Sequence, residues 1–381
     1  MPVWRAQSPL RPGDHYLSGN EAAAEGAIAC GCDFYAGYPI TPSSEIMERM
    51  AERLPRLGKT FVQMEDEIGS ICAVIGASWA GARAMTATSG PGFSLMMEGL
   101  GYAVFTETPL VIMDIQRAGP CTGQATRVGA GDIMQAKWGA HGDIQVIALS
   151  PWSVQEMYDM AVDAFNLAEK YRVPVILLGE EAVGHLRERI RVPDSVEIVS
   201  RDRSKDRPPF GTPEPDGVPP MPAFGDGAAL LVTGSTHDDW GIRRTEDPEA
   251  HSRLVMRINR KIMDRRGEIC RTEAHFLEDA QEAVVAYGFT ARSALFAVKR
   301  LREKGRKVGL LRLKTLWPFP DEAVAGLKGK VKRVLVPEMN LGQVAAEVRR
   351  ILGGEMVEAY NQVNGEIIHP DSISMVLERR G

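Results

Sequence analysis

The sequence has few cysteines, no strong excess of charge of either sign and no long apolar run. Its 381 residues include five cysteines and carry a formal net charge of -5. A nucleic-acid-binding protein usually has a basic excess, so this balance argues against a nucleic-acid partner. No apolar run reaches the roughly 18 residues of a membrane span. Residues 1–15 are polar and contain prolines, unlike a signal peptide. We therefore expect a globular protein without nucleic-acid or membrane partners.

The scattered cysteines predict a reducing compartment and argue against a metal site on this chain. Cys30 and Cys32 are closer together than the usual metal-binding pair, which has two residues between its cysteines, and no second pair completes a tetrahedral site. Cys72, Cys121 and Cys270 are isolated in the sequence. We interpret all five thiols as small buried hydrophobic groups. We expect a cytoplasmic location and no iron–sulfur cluster on this chain.

The usual nucleotide-binding motifs are also missing. The loop Thr86–Gly92 is rich in glycine and small polar residues and is similar to an anion-binding loop. It does not end in the Gly-Lys-Ser/Thr pattern of a phosphate-binding loop, and no GxGxxG sequence opens the fold. A nucleotide-binding module is therefore a weak interpretation of the α/β pattern.

Strands that alternate with helices predict two α/β units. The apolar run Pro109–Ile115 is typical of a buried parallel strand, and such alternation indicates right-handed βαβ units. We assign residues 1–190 to a first domain. The proline-rich residues 191–226 predict an extended linker. The alternation resumes in residues 227–381, the predicted second domain, whose first strand we place at Ala228–Thr233.

The segment Gly37–Ser44 is a candidate binding corner for a carboxylate. Pro39 and Pro42 fix their own φ angles and hold Tyr38 and Thr41 in extended backbone. The hydroxyl and backbone of Thr41 are thereby displayed where a strand turns into a helix. Free N–H groups at a helix N-terminus attract anions. The alternative is an ordinary α/β corner that binds nothing.

Thr41, Glu67, Ser89 and Arg117 all fall at the predicted carboxyl-terminal edge of the first sheet, where ligands bind in such folds. Glycine and alanine crowd the helix that Glu67 opens, so its carboxylate is expected to be partly buried and is a candidate acid or base. Arg117 follows a buried strand and suits a substrate carboxylate. Simple solvation of Arg117 at the surface is the alternative.

Taken in order, these motifs resemble the alpha subunits of the 2-oxoacid:ferredoxin oxidoreductases, most closely those of the 2-oxoglutarate type, the 2-oxoglutarate synthases. The resemblance extends from about Gly19 to His369. It rests on the motifs Gly37–Ser44, Glu65–Glu67, Gly76–Ser78, Thr86–Phe93, Gln116–Gly123, Gly131–Ala136, Trp138–Gly139, His141–Asp143, Thr233–Gly234, His237–Asp238, Trp317–Pro320 and Pro337–Gln343. It implies an α/β fold in which a parallel-sheet, pyrimidine-binding domain for thiamine diphosphate precedes a smaller α/β domain like the C-terminal domain of transketolase.

The resemblance implies oxidative decarboxylation of 2-oxoglutarate, in which coenzyme A accepts the succinyl group and ferredoxin accepts electrons, in a reaction that can run in either direction. The chain would hold the pyrimidine ring of thiamine diphosphate and the oxoacid. A beta subunit would hold the diphosphate, Mg²⁺ and a [4Fe–4S] cluster, and small gamma and delta ferredoxin-like subunits can complete the complex. The same chemistry on pyruvate or a branched-chain 2-oxoacid is one alternative. A non-catalytic assembly subunit is another.

By the same resemblance, Glu67 is the carboxylate that hydrogen-bonds to the pyrimidine ring, because it lies nine residues before Gly76 as the family glutamate does. Glu65 is the second choice. Thr41 would meet the substrate carboxylate and Arg117 would anchor it. The other cofactor-binding positions would be Tyr38, Pro39, Ile40, Ser89 and Gly90.

A second carboxylate on 2-oxoglutarate needs a second cation. Arg127, Lys137 and His141 are the candidates by position. The loop before them departs from the family pattern, because Ala118 and Cys121 stand where glycine and serine are common. We expect neither change to alter the chemistry.

Overall fold

Two main sheets, each built from strands that alternate with helices, organise residues 2–379, the part of the chain that the computed structural model describes. The strands of the first half are β1 Val3–Ala6, β2 Gly13–Ser18, β3 Phe34–Gly37, β4 Thr60–Gln63, β5 Ala84–Thr88, β6 Leu110–Ala118, β7 Gln124–Val128, β8 Ile147–Leu149, β9 Pro174–Glu180, β10 Arg187–Val192 and β11 Val196–Val199. Its helices are α1 Gly19–Ala29, α2 Ser44–Arg56, α3 Glu67–Trp79, α4 Pro91–Leu95, α5 Met97–Phe105, α6 Ile133–Trp138, α7 Val154–Tyr171 and α8 Glu181–His185.

The second half contains a smaller set of elements. They are α9 Pro248–Met263, α10 Arg266–Ile269, β12 Thr272–His275, β13 Glu282–Ala286, α11 Gly288–Glu303, β14 Val308–Leu313, β15 Thr315–Trp317, α12 Asp321–Ala325, β16 Arg333–Glu338, α13 Gln343–Leu352, the 3-10 turn Gly354–Met356, β17 Val357–Asn361 and α14 Pro370–Glu378. We call the part of the chain from α9 to α14 the C-terminal unit.

The larger sheet has the order β15-β8-β9-β6-β5-β3-β4, and all neighbours in this order are parallel except β15 and β8. An eighth strand, β7, pairs antiparallel with the end of β6. The smaller sheet has the order β12-β14-β13-β16-β17, and only β12 is antiparallel to its neighbour. The prediction of two α/β units with mostly parallel sheets is confirmed. The limits of the two domains and of the linker remain predictions.

Strand β6 shows why the larger sheet lies at the centre of the fold. Its side chains alternate between two buried clusters, so that Leu110 and Ile112 pack on one face while Val111 and Met113 pack on the other. A strand covered on both faces is apolar over most of its length, which is the pattern from which the parallel sheet was predicted. The first of these clusters continues into the C-terminal unit, so both halves share one core.

The C-terminal unit also adds a strand to the larger sheet. β15 pairs antiparallel with β8, and the indole N–H of Trp317 donates to the carbonyl oxygen of Ile133 at 2.8 Å. The strand predicted at Ala228–Thr233 does not form. Leu230 and Val232 pack against the core while Leu231 is 47% exposed, but no neighbouring strand pairs with this segment. The alternating apolar pattern of Ala228–Thr233 therefore arises because one side of the segment is buried, and not because the segment forms a strand of a sheet.

A buried carboxyl group lies where the two halves join. Glu180 ends β9, and its Oε2 accepts the backbone N–H of Phe289, at the start of α11, at 3.1 Å. A Cβ on Gly288 would lie 1.9 Å from Glu180 Oε1, so only glycine fits there. Burial raises the pKa of Glu180 to about 8. The folded protein therefore holds the Glu180 proton more tightly than the unfolded chain does.

This raised pKa predicts that stability falls as the pH rises from the ordinary range of a glutamate through about 8. Glu180→Gln copies the protonated form, so the variant should lose less stability between pH 6 and pH 9 and should exceed the parent at pH 9 by roughly 1–3 kcal/mol. Urea denaturation at each pH measures this. Glu355→Gln, at an exposed position, is the control and should leave the pH slope unchanged. Parallel slopes for Glu180→Gln and the parent would contradict the assignment.

Candidate functional site

A cavity of about 840 Å³ lies at the carboxyl ends of β5 and β6 and is lined by both halves of the chain. The first half contributes the loop after β5, the end of β6 and residues 128–135. The C-terminal unit contributes Met339–Gln343, the loop after β16 and the first residue of α13. Ligands bind at this edge of an open parallel sheet, and cavities between units of a chain commonly hold them.

Arg117 lies on the wall of this cavity and has spare hydrogen-bonding capacity. Arg117 is only 7% exposed, and its Nη1 donates to the carbonyl oxygen of Thr41 at 2.8 Å. Its Nε is buried and has no partner among the described residues. The structure therefore brings Thr41 and Arg117 together, through the backbone of Thr41 and not its hydroxyl. A buried guanidinium N–H without an acceptor is costly and suits an anionic ligand.

Glu67 is the first residue of α3. Asp66 caps this helix by accepting the N–H of Gly69 at 2.7 Å, which fixes the direction in which Glu67 points. Glu67 is 4% exposed, and burial raises its pKa. A Cβ on Gly92 would lie 2.2 Å from Glu67 Oε1 and 2.3 Å from the hydroxyl oxygen of Thr88, so the start of α4 packs directly on the carboxyl group. No ion pair within residues 2–379 involves Glu67.

Two buried hydroxyl groups lie at the end of β5, and that of Thr88 is close to the Glu67 carboxyl group. Thr88 and Ser89 are fully buried, and neither hydroxyl has a hydrogen-bond partner in the described part of the chain. Buried polar groups normally have hydrogen-bond partners. The two hydroxyl groups without partners and the Glu67 carboxyl group, which forms no ion pair, therefore suit a polar ring such as an aminopyrimidine. Gly90, with φ of 39°, follows them and reaches the cavity wall. This arrangement is consistent with the positions predicted for a cofactor.

The remaining residues predicted to bind the cofactor lie where the chain leaves β3. The backbone N–H of Met64 donates to the carbonyl of Gly37 at 2.9 Å, so this corner starts beside the end of β4, just before α3. Tyr38 and Pro39 are exposed, and Ile40 is half-buried. Glu65, the second choice for the acid, is exposed. Burial therefore favours Glu67 over Glu65.

A pair of carboxyl groups at the cavity, one fully buried and one half-buried, was not expected from the sequence. Asp114, on β6, is fully buried, and Asp132 lines the cavity. Burial and the neighbouring charge of Asp132 raise the pKa of Asp114 well above its usual range, and burial also raises the pKa of Asp132. The charge of Arg117 opposes this rise and favours the charged form of Asp132. The available signal was an acidic residue inside an otherwise apolar strand.

None of the three cations proposed for a distal carboxylate lines the cavity within the described residues, where Arg117 is the cation on the wall. Arg127 is exposed on β7 and directly precedes Val128, a wall residue that pairs with Arg117. The Lys137 ammonium donates to the Ile144 carbonyl at 2.7 Å, and burial lowers its pKa to about 8. The His141 side chain is 85% exposed in a separate groove.

The cysteine prediction is wrong in part. Cys30 and Cys32 are buried and Cys270 is half-buried, whereas Cys72 and Cys121 are exposed, the latter beside the cavity. The glycine-rich turn that contains Cys121 leaves its side chain no core to enter.

Between Pro2 and Arg379, no three His, Cys, Asp or Glu side chains are grouped to hold a metal ion. No helix in that range is long and apolar enough to cross a membrane.

Comparison with known proteins gives consistent matches over almost the whole chain. Residues 25–257 match the family model described as pyruvate flavodoxin/ferredoxin oxidoreductase, thiamine diphosphate-binding, and residues 280–373 match pyruvate:ferredoxin oxidoreductase core domain II. The 2-oxoglutarate synthase subunit KorA of Methanothermobacter thermautotrophicus is 53% identical over 96% of this chain and 98% of its own length. The subunit of the same name from Methanocaldococcus jannaschii is 51% identical over 94% of this chain and 97% of its own length.

A solved structure is also similar. The 2-oxoglutarate:ferredoxin oxidoreductase from Magnetococcus marinus, with 2-oxoglutarate, coenzyme A and succinyl-CoA bound, matches with a TM-score of 0.91 and 34% identity over 96% of this chain. This chain spans 65% of the length of that one. The fold described above is therefore shared with a structure in which an oxoacid and its product are bound.

Proposed function

Because the chain belongs to the pyruvate flavodoxin/ferredoxin oxidoreductase family, we propose that it is the alpha subunit of a thiamine diphosphate-dependent 2-oxoglutarate:ferredoxin oxidoreductase. The complex converts 2-oxoglutarate and coenzyme A to succinyl-CoA and carbon dioxide and passes two electrons to ferredoxin. The observation that carries the proposal is the unpartnered guanidinium N–H of Arg117, buried in a cavity at the same sheet edge as the unpaired carboxyl of Glu67. Full-length similarity to subunits named 2-oxoglutarate synthase supports the substrate.

Glu67, Thr88 and Ser89 would hold the aminopyrimidine ring of thiamine diphosphate. When bound, this cofactor supplies a carbon nucleophile and an electron sink. Burial raises the pKa of Glu67, which favours the protonated carboxyl that can donate to the ring nitrogen. Thr88 and Ser89 have buried hydroxyl groups that need partners, and a bound ring would provide them. Gly92 leaves the space that the Glu67 carboxyl occupies.

Arg117 would bind the carboxylate that is adjacent to the oxo group of the substrate. Its hydrogen bond to the Thr41 carbonyl holds the guanidinium plane, so its Nε remains to donate to the substrate. Fixing this carboxylate orients the neighbouring carbonyl carbon for attack and supports catalysis by positioning. Arg127, on the strand that pairs with the end of β6, is the candidate for the distal carboxylate of 2-oxoglutarate.

Further subunits would complete the enzyme. We propose that a beta subunit binds the diphosphate, Mg²⁺ and a [4Fe–4S] cluster, that gamma and delta subunits assist electron transfer, and that the complex is cytoplasmic. The exposed side chains of Ile68 and Leu95, near Glu67 and Ser89 in the sequence, support a partner surface here, as does that of Tyr38 in the corner after β3. Exposed apolar groups commonly mark interfaces. Burial of the cofactor ring would then need both subunits.

Anaerobic co-expression with the beta partner tests this proposal. Reduction of a viologen dye in the presence of coenzyme A should show a kcat/KM for 2-oxoglutarate at least about tenfold above that for pyruvate or a branched-chain 2-oxoacid, because a second carboxylate adds a charge-assisted contact. A preference for pyruvate or a branched acid would overturn the substrate assignment. A complex that binds thiamine diphosphate but oxidises no 2-oxoacid would instead indicate a non-catalytic assembly subunit.

A further inference from the structure

Gln343, the first residue of α13, connects the C-terminal unit to one wall of the cavity. Its Oε1 accepts the backbone N–H of Met134 at 2.8 Å, and its Nε2 donates to the backbone carbonyl of Gly131 at 2.7 Å. A single amide therefore bonds to both ends of the segment Gly131–Met134. No other residue type of this length offers both a donor and an acceptor in this way.

Neighbouring residues hold Gln343 in place. The side-chain oxygen of Asn340 accepts the backbone N–H groups of Gly342 and Gln343 at 2.8 and 2.9 Å, which fixes the start of α13. Its amide group donates to the Ala130 carbonyl at 2.7 Å, and the Ala130 N–H donates to the Met339 carbonyl at 3.2 Å. The loop after β16 is therefore joined to the wall segment at residues 130–134 by several hydrogen bonds.

The segment held in this way carries Asp132. The backbone N–H of Asp132 donates to the side-chain oxygen of Gln116 at 3.1 Å, and the charge of its carboxyl group acts on the buried Asp114. Gly129, just before the segment, packs on the end of β6, because a Cβ there would lie 2.6 Å from the Arg117 carbonyl oxygen. The position of Asp132 relative to Arg117 thus depends on contacts made by the C-terminal unit.

We propose that Gln343 is a positioning residue of the oxoacid cavity, which acts by fixing Gly131–Met134 and so the place of Asp132 beside Arg117. This inference rests on the proposed function of the cavity. Gln343 does not need to touch the substrate. Loss of its two hydrogen bonds leaves the wall free to move, and the substrate must then order it on binding, so the cost falls on oxoacid affinity.

Two variants test the proposal in the co-purified complex. Gln343→Ala removes both hydrogen bonds and should raise the KM for 2-oxoglutarate about tenfold, with kcat changed less than about threefold. Gln343→Glu keeps the acceptor for Met134 and loses the donor to Gly131, and should lie between Gln343→Ala and the parent. The matched control is Gln155→Ala. The Gln155 amide also bonds in both directions to a backbone residue, Arg191, on β10, and its loss should leave KM unchanged.

Hydrogen exchange of the backbone amides of residues 130–134 provides a readout independent of activity. Faster exchange there in Gln343→Ala but not in Gln155→Ala, together with the raised KM, supports the proposal. Unchanged exchange, or a fall in kcat or stability at constant KM, overturns it. A parent complex that oxidises no 2-oxoacid overturns the proposed function, and the exchange measurement still decides whether Gln343 fixes this segment.

Discussion

Replacing Glu67 by glutamine is expected to lower the rate of 2-oxoacid oxidation by at least about 100-fold while the subunit still folds and assembles. Glutamine has the same shape, so it fits between Gly92 and Thr88 as the glutamate does. It cannot exchange a proton with the cofactor ring, because an amide neither gains nor loses a proton near neutral pH. The loss should appear in kcat, since the contact matters most in the transition state.

The neighbouring glutamate provides the control for this experiment. Glu65→Gln alters an exposed carboxylate in the same stretch and should leave kcat unchanged. Viologen reduction by the assembled complex gives the rate, and calorimetry gives the affinity for thiamine diphosphate. Full activity in Glu67→Gln would refute the assigned role. Inactivity of Glu65→Gln alone would transfer that role to Glu65.

Much of this site could be predicted because parallel sheets place ligands at one edge. Thr41, Glu67 and Ser89 each follow a strand whose pattern is clear in the sequence, and Arg117 lies near the end of another, β6, rather than just after it. Their common location therefore follows from the alternation of strands and helices. The burial of Glu67 could be expected because small residues crowd α3. What each side chain does chemically remains a prediction.

Other features depend on contacts between distant parts of the chain. Asp114 was read as part of an apolar strand, and its pairing with Asp132 arises only when the loop after β7 folds back over β6. Likewise, β15 lies in the second half but completes the first sheet. The segment Ala228–Thr233 has a strand-like pattern with no neighbour to pair with. A local sequence pattern indicates which side chains are buried. Which strand or side chain each of them pairs with is determined by tertiary packing.

Replacing Arg117 by methionine is expected to raise the KM of every 2-oxoacid that the enzyme accepts by about 100-fold or more, because removing one member of a buried charge pair costs several kcal/mol. Arg117→Lys should recover only part of this loss, since an ammonium group cannot both bond to the Thr41 carbonyl and present the planar Nε donor. Thermal unfolding of each variant would check that the neighbouring Asp132 tolerates the change.

Arg127→Met is the informative comparison, because Arg127 is exposed on β7 and is proposed to contact only the distal carboxylate. Arg117→Met should weaken 2-oxoglutarate and monocarboxylic 2-oxoacids by similar factors, since the carboxylate next to the oxo group is common to all of them. Arg127→Met should weaken 2-oxoglutarate alone. Equal KM values for the parent and Arg117→Met would refute Arg117 as the anchor. If Arg117→Met instead impaired only 2-oxoglutarate, Arg117 would bind the distal carboxylate, and another group would have to orient the reacting carbonyl.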